Sequence, residues 1–478
     1  MTYLQDKPAK AGHDTKPPQK LADFMMTQWR PQTRPLPKPL GQAAAHARRR
    51  AALGALFPGE ALVIPTGHEQ LRSNDTYYRF RPGSDFFWLT GNLEPDCVLV
   101  LKPDEDGFHH AILFVEPNPG RSNITFFTDR KKGELWVGPR LGVEQSQARF
   151  GVDEVRALDT LPAFLKQLPR ARVVRGLSPA VDVALPAIDD GTRDKGLPQA
   201  VSELRLIKDA EEIRELQKVI ASTKRGFEDV IRAMKPGQSE RQIEGVFNLR
   251  ARVEGNDVGY GTIAASGANA CILHWTRNDA AMKKGQLLLV DAGVEGHQLY
   301  TADITRTIPV SGKFSAAQKE IYSLVCRAQS AAFTGVKPGN DFMEPNRRAM
   351  RVLAEGLRAL GILKAPLEEA LKEDAQLYKR WTLHNVSHML GLDVHDCARA
   401  REQSYRHGPL KPGMVLTVEP GLYFQPDDLT VPAKYRGIGV RIEDDVLVTA
   451  KGMKNLSASI PREPDDVEQW VRAARRAT

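Results

Sequence analysis

Asp291 closes an uninterrupted apolar run, Leu287-Leu288-Leu289-Val290, where a carboxylate is tolerated only if it is paired or holds a cation. Asp303 follows twelve residues on, in Thr301-Ala302-Asp303-Ile304-Thr305-Arg306-Thr307, a segment that alternates as a strand does. On such a strand Asp303, Thr305 and Thr307 share one face, while Ile304 and Arg306 share the other. A hairpin between the two segments would set both aspartates side by side. Glu419 likewise follows an apolar run, Met414 to Val418, and Glu443 sits in the β-rich segment Gly439 to Asp445, with Arg441 on its side of the strand. Between these pairs lies His384-Asn385-Val386-Ser387-His388 continuing to His395-Asp396, which holds three of the chain's 11 histidines.

Four carboxylates gathered without countercharge repel one another and raise their own pKa values. Two divalent cations remove that penalty. Four carboxylates with one histidine form a hard, oxygen-rich set that suits Mn²⁺ better than a thiolate-held zinc. Two such ions, roughly 3.5 to 4 Å apart, can share a bridging water and bring its pKa near neutrality, which is chemistry for hydrolysing an amide. Taken singly, each residue has a plainer reading: Asp-Ala-Gly is a common turn, a buried histidine is commonly a satisfied core residue, and Arg441 could be a simple ion-pair partner. Their joint occurrence in one half of the chain argues for a metal centre.

The elements that position them repeat. A helix is expected to open at the cap Asp209, with Ile213, Leu216, Ile220, Phe227 and Ile231 at helical spacing, and to stop at Lys235-Pro236-Gly237. Ser239 and Gln242 make a capping box for the next helix. A second Lys-Pro-Gly, at 337 to 339, separates helical runs at Ala316 to Val336 and Arg347 to Leu360. Gly285 precedes Asp291 by six residues, and Gly413 precedes Glu419 by the same six. The second half therefore reads as two diverged copies of one unit, a pseudo-twofold domain that brings the two acids face to face.

The first half reads differently. Residues 1–40 are rich in proline and lysine and are expected to form a flexible tail, with Leu21 to Trp29 a loosely held segment in preference to a docked short helix. From Ala43 a helix and the apolar runs Ala61 to Ile64, Phe86 to Leu89, Val98 to Leu101 and Ile112 to Val115 suggest a small α/β domain over residues 41–195, closed by a linker from Pro186 to Pro198. The catalytic half would then span 196–478, giving an α+β chain. At 478 residues the chain has room for these domains. The 67 Lys and Arg against 59 Asp and Glu give a net charge of +8. Much of the excess falls in the first 50 residues, including Arg48-Arg49-Arg50, with no interleaved aromatics, so a solvated basic face is expected rather than a nucleic-acid partner. No run is long and apolar enough for a membrane span, no leader is legible, and a cytoplasmic location is the expectation. Cys97, Cys271, Cys326 and Cys397 are too scattered for a disulfide framework or a thiolate zinc site and should be free and buried.

The motifs Ile272-Leu273-His274, Asp291-Ala292-Gly293, Asp303-Ile304-Thr305-Arg306-Thr307, Ser387-His388-Met389 through Asp396, Val418-Glu419-Pro420-Gly421-Leu422-Tyr423 and Arg436 through Asp445 closely resemble those of the aminopeptidase P (Xaa-Pro aminopeptidase) group of the M24 metallopeptidase family. In the first half Tyr78-Arg79-Phe80-Arg81, Gly83-Ser84-Asp85-Phe86 and Leu89-Thr90-Gly91 extend the resemblance, which covers nearly everything after the tail. It implies a C-terminal pita-bread fold behind a smaller N-terminal domain, with Asp291, Asp303, His388, Glu419 and Glu443 as ligands of two metal ions, Asp303 and Glu443 touching both. By the same resemblance His274, His384 and His395 surround the substrate, Arg441 supports a ligand, Glu419 is the candidate general base, and Tyr260 and Tyr423 line the site. The implied substrates are peptides with proline second, and a homodimer or homotetramer is the implied assembly. A prolidase-type dipeptidase shares the ligands and fold and remains the alternative. A methionine aminopeptidase fits less well because a whole domain precedes the catalytic half, and a non-catalytic relative usually loses ligands that this chain keeps. One departure is Cys397-Ala398-Arg399-Ala400-Arg401, where relatives usually carry a glycine.

Overall fold

The computed structural model describes residues 17–30, 34–168 and 170–476. Of the tail expected over residues 1–40, positions 1–16 and 31–33 lie outside these. The chain divides into two compact units, Met1–Leu204 and Arg205–Thr478.

In the first unit the β-branched and leucine-rich runs form a five-stranded mixed sheet in the order Glu154–Ala157, His109–Val115, Val98–Pro103, Ala61–Pro65, Ala171–Val173. The three inner strands pair antiparallel and each outer strand pairs parallel. Val63, Val98, Val100, Ile112, Phe114 and Val173 pack on Leu161, Leu165 and Val181 from the flanking helices. Two local expectations are corrected, and one apolar run receives its class. The run Phe86 to Leu89 belongs to a helix, Ser84–Thr90, closed by the left-handed Gly91 whose N–H donates to Phe87 O at 2.7 Å. A four-residue apolar run carries no period that distinguishes a buried strand from a buried helical turn. The linker expected at Pro186 to Pro198 leads instead into the helix Thr192–Arg205, so the boundary expected near residue 195 falls inside a helix. Asp194 in its first turn holds it to the sheet, accepting from the Val173 N–H at 3.0 Å and from Arg175 Nε at 2.7 Å. Gln19–Met25 forms a helix, and Trp29 after it packs 6.1 Å from the Phe127 ring, under the Arg121 guanidinium at 4.6 Å.

The second unit is built twice over from one plan. In its first copy the helix Ala210–Ala233, capped by Asp209 in a capping box with Glu212, packs beside Glu240–Glu254, capped by Ser239 with Gln242. Their apolar faces cover a sheet of Ile263–Ser266, Leu287–Ala292 and Ile304–Pro309, burying Phe227 and Phe247 against Leu288, Val290, Ile304 and Ile308. In its second copy the helices Ala316–Gly335 and Glu344–Ala359 cover Val415–Val418, Asp444–Thr449 and Gly452–Asn455, with Tyr322, Val325 and Leu353 against Leu416, Val418 and Val446. The glycines that mark the echo share one backbone state: Gly237 and Gly339 have φ of 90° and 87°, Gly285 and Gly413 of 83° and 93°. A side chain there is strained by its own Cβ, which is why glycine recurs at the same two turns of each copy.

The expected hairpin is present, with Asp291 opposite Thr305 and Ala292 opposite Ile304. The segment Gly439 to Asp445 is two strands rather than one. Gly439–Arg441 pairs with Gly421–Tyr423, Asp444–Thr449 pairs with Val415–Val418, and Glu443 stands at the break. There the Glu443 N–H donates to Thr305 O at 3.1 Å and its carbonyl accepts from Arg306 Nη1 at 2.6 Å, so the backbone is tied to the hairpin instead of to one ladder. Among the described residues no helix is long and apolar enough to cross a membrane, and all four cysteines are free and buried.

Candidate metal centre

Strand ends from both copies open on one cavity of about 500 Å³. Its wall includes Asp291, Asp303, His388, Glu419 and Glu443, together with Tyr260, His274, His384, His395 and Arg441. Of the residues singled out from the sequence only Tyr423 is set back from the wall, behind His384 and Arg441. Asp291 is carried by the strand Leu287–Ala292, Asp303 stands just before Ile304–Pro309, Glu419 just after Val415–Val418, and Glu443 just before Asp444–Thr449. The His388 loop is pinned to the second copy by its backbone, which accepts from the Thr417 N–H at 3.0 Å.

Single ligand atoms of Asp303, His388 and Glu443 all lie within 4.8 Å of one another. His388 Nδ1 faces its neighbour's carbonyl, Met389 O, at 3.1 Å, a partner that can only accept, so Nδ1 carries the proton. Nε2 is thereby left with its lone pair aimed at Asp303 Oδ2, 3.2 Å away, and Glu419 Oε1, 3.5 Å away. An acceptor facing two carboxylates requires either a second proton or a cation between them. The protein's own charges take the first course. Burial lowers the ring, but the Asp303 hydrogen bond and the Glu419 charge outweigh it and raise His388 to about 9. Burial with mutual repulsion pushes Asp303 and Glu443 above the ordinary carboxylate range and Glu419 up to about 7. Divalent cations fit the same donor set and let every carboxylate stay ionised. Tyr260 adds to the point: its hydroxyl lies 2.8 Å from Asp291 Oδ1 and 2.5 Å from Asp303 Oδ1, so a single proton is all it offers to two carboxylates.

With that geometry in view, residues 214–450 match the model of metallopeptidase family M24 and residues 46–174 that of the aminopeptidase P N-terminal domain. The chain is 50% identical over 455 residues to Xaa-Pro aminopeptidase 1 of Streptomyces coelicolor, covering 95% of this chain and 92% of that one. The chain belongs to the M24 metallopeptidase family. Its likeness to the Xaa-Pro aminopeptidase of Escherichia coli is 37% over 446 residues, or 90% of this chain and 97% of that one. Zn-substituted E. coli aminopeptidase P in complex with product superposes with a TM-score of 0.82 at 36% identity, covering 92% of this chain and 100% of that structure. The fold is thus that of aminopeptidase P, an N-terminal domain ahead of an M24 pita-bread domain.

The histidines of this M24 chain are held unequally. His384 Nδ1 faces Asn385 O at 2.8 Å, which leaves Nε2 to accept from the Tyr423 hydroxyl at 2.7 Å. Burial and the adjacent Arg441 lower His384 to about 4, so the ring is neutral at pH 7. Tyr423 in turn accepts from Arg441 Nη1 at 3.0 Å, while burial raises its own phenol to about 12. His395 lies edge-on to His388, 4.5 Å between centroids, and burial lowers it too. His274 stands exposed at the mouth.

Six supporting residues escaped assignment from the sequence. Thr305 Oγ donates to Glu443 Oε2 at 2.6 Å. Its place on the Asp303 face was legible, but its partner was not. Arg306, on the opposite face and fully buried, binds Asp444 and the carbonyls of Thr305, Glu443, Ile460 and Pro461. Asp445 accepts from the Asp303 N–H at 3.2 Å. Ile263, Leu273 and Val394 give the cavity an apolar side that no motif announced.

Proposed function

We propose that this chain is a metal-dependent aminopeptidase that releases the first residue of peptides with proline in second place. The reading rests above all on the convergence of Asp291, Asp303, His388, Glu419 and Glu443 on one cavity, with His388 Nε2 turned toward two of the carboxylates. We take these five as the ligands of two divalent ions, Mn²⁺ by the hardness of the donors. Bound there, such ions supply Lewis acidity that activates water and offsets charge on the attacked carbonyl. The chain's own groups do the rest. Glu419, 3.6 Å from His384 Nδ1, takes up the proton of the attacking water and returns it to the departing amine. His274, His384 and His395 surround the peptide, and neutral His384 presents its ring without competing for the ions. Arg441 fixes Asp291, and Tyr423 fixes His384. Ile263, Leu273 and Val394 offer an apolar wall for a prolyl ring. Names of relatives spanning nearly the whole chain support the proline preference. A homodimer or homotetramer in the cytoplasm completes the reading.

The test is metal-free protein titrated with Mn²⁺ while Ala-Pro-Ala, Ala-Ala-Ala and Ala-Pro are offered. Release of alanine from Ala-Pro-Ala alone is expected. Equal cleavage of Ala-Ala-Ala refutes the proline preference, and cleavage of Ala-Pro in place of Ala-Pro-Ala makes the chain a prolidase.

A further inference from the structure

Glu240 is completely buried at the first position of the helix Glu240–Glu254, where exposed backbone N–H groups and the helix dipole favour an acid. What it holds lies beyond the helix. Its Oε1 accepts from the Ser266 N–H at 2.6 Å, the Ser266 hydroxyl at 2.8 Å and Asn269 Nδ2 at 3.0 Å. Its Oε2 accepts from the Trp275 indole N–H at 2.8 Å and the Ala280 N–H at 3.0 Å. Ser266 ends the strand Ile263–Ser266, and the other donors sit near the start, in the middle and at the end of the single excursion that follows it, residues 267–280.

That excursion carries Leu273, His274 and Thr276, all on the cavity wall. After the 3-10 helix Gly267–Cys271 its path is irregular. The Ile272 N–H reaches Asn269 O at 2.9 Å, the Thr276 N–H reaches His274 O at 3.0 Å, and Asn278 ties the far end to Ala264 and Thr262. At its centre Trp275 is the residue directly after His274, and its indole is held by Glu240. Trp275 is thus a hydrogen-bonded anchor of the loop.

We propose that Glu240 is a positioning residue for the proposed peptidase: through Trp275 and the two ends of the loop it sets where His274 stands over the substrate. The proposal rests on the reading of the cavity as the peptidase site. A carboxylate suits the position because all five of its contacts come from donors. A carboxamide turns one of its two ends into a donor, so Glu240→Gln sets an N–H₂ against either the Ser266 and Asn269 group or the Trp275 and Ala280 pair. Trp275→Phe removes one donor and leaves the ring.

The experiment is a double-mutant cycle on Ala-Pro-Ala hydrolysis with Mn²⁺-loaded wild type, E240Q, H274A and the double variant, with bound metal measured for each. E240Q is expected to lower kcat about 10-fold with metal content unchanged, since a displacement of about 1 Å near the reacting atoms costs up to about 100-fold. In the H274A background the same substitution should change kcat by less than about twofold, the sign of an effect carried through that histidine. W275F, which leaves four of the five contacts in place, runs through the same cycle and decides the matter if E240Q does not fold. Equal losses with and without His274, or no loss from either substitution, overturn the proposal. An inactive wild type would instead refute the peptidase reading itself.

Discussion

Arg441 Nη2 lies 2.6 Å from Asp291 Oδ2, with both groups buried in the same wall. The pair joins the two copies of the repeat, one partner from each. Removing the guanidinium leaves Asp291 without its countercharge and Tyr423 without its donor at 3.0 Å. Arg441→Ala should lower kcat/KM by about 100-fold, the upper range for a group that orients a metal ligand. Arg441→Lys should recover little, because one ammonium cannot span both partners as the guanidinium fork does. Steady-state kinetics on Ala-Pro-Ala, with metal content measured alongside, check both.

Asp303→Asn tests the ligand set most directly. A carboxamide removes one charge from the group that faces His388, Tyr260 and Glu443 together. Turnover should vanish, and elemental analysis should find less than the wild-type complement of metal. Unchanged turnover would show that the assignment is wrong.

Removing the metal should be felt in stability as well as in activity. Binding to the folded state alone stabilises it by an amount that grows with the logarithm of free ligand, about 2.7 kcal/mol at 100 times Kd. Chelator-treated protein should be inactive and melt at lower temperature, and Mn²⁺ should restore both. Calorimetry with and without added Mn²⁺ reads the shift.

Tyr423→Phe deletes the hydroxyl that links His384 to Arg441 and leaves the ring in place. A fall of about 10-fold in kcat is expected, the scale of one or two lost hydrogen bonds to a charged or catalytic group. KM should move less, because Tyr423 stands behind the wall. Rates over a range of peptide concentrations separate the two.

Asp396 offers a prediction away from the chemistry. It is buried between Lys208, 2.9 Å away, and Arg205. Burial alone would raise its carboxyl, but the two cations outweigh it and hold the group well below the ordinary range. A depressed folded value means that the unfolded chain binds the proton first. The contribution is therefore complete above the unfolded value of about 3.9 and disappears as pH falls from there toward the folded value. Asp396→Asn takes the carboxylate from buried Lys208 and one of the two carboxylates from Arg205, which keeps Asp393, and should cost about 3 kcal/mol. Urea unfolding followed by tryptophan fluorescence, at neutral pH and near pH 3, should show that the variant has lost this part of the acid sensitivity.

The residues whose partners are near in sequence were the legible ones. The caps at Asp209 and Ser239 bind within three residues, and the alternation from Thr301 to Thr307 needed only the pleat of a strand. The recurring Lys-Pro-Gly turns exposed the doubled plan because their glycines have a backbone state that few residues accept. Phe86 to Leu89 stayed unassigned because four apolar residues carry too little period, and Pro198 misled because a proline inside a helix looks like a break. Glu240, Arg306 and Asp445 were invisible for another reason. Each acts on groups brought close only by tertiary folding, as when Arg306 reaches Ile460 and Pro461.

The proposed ligands run from Asp291 on one strand end to Glu443 on another, and the last of them is held by a break between two strands. Every residue from the first of these to the last must therefore be synthesised before the five can meet. A nascent chain halted between them carries some of the acids without the full cage.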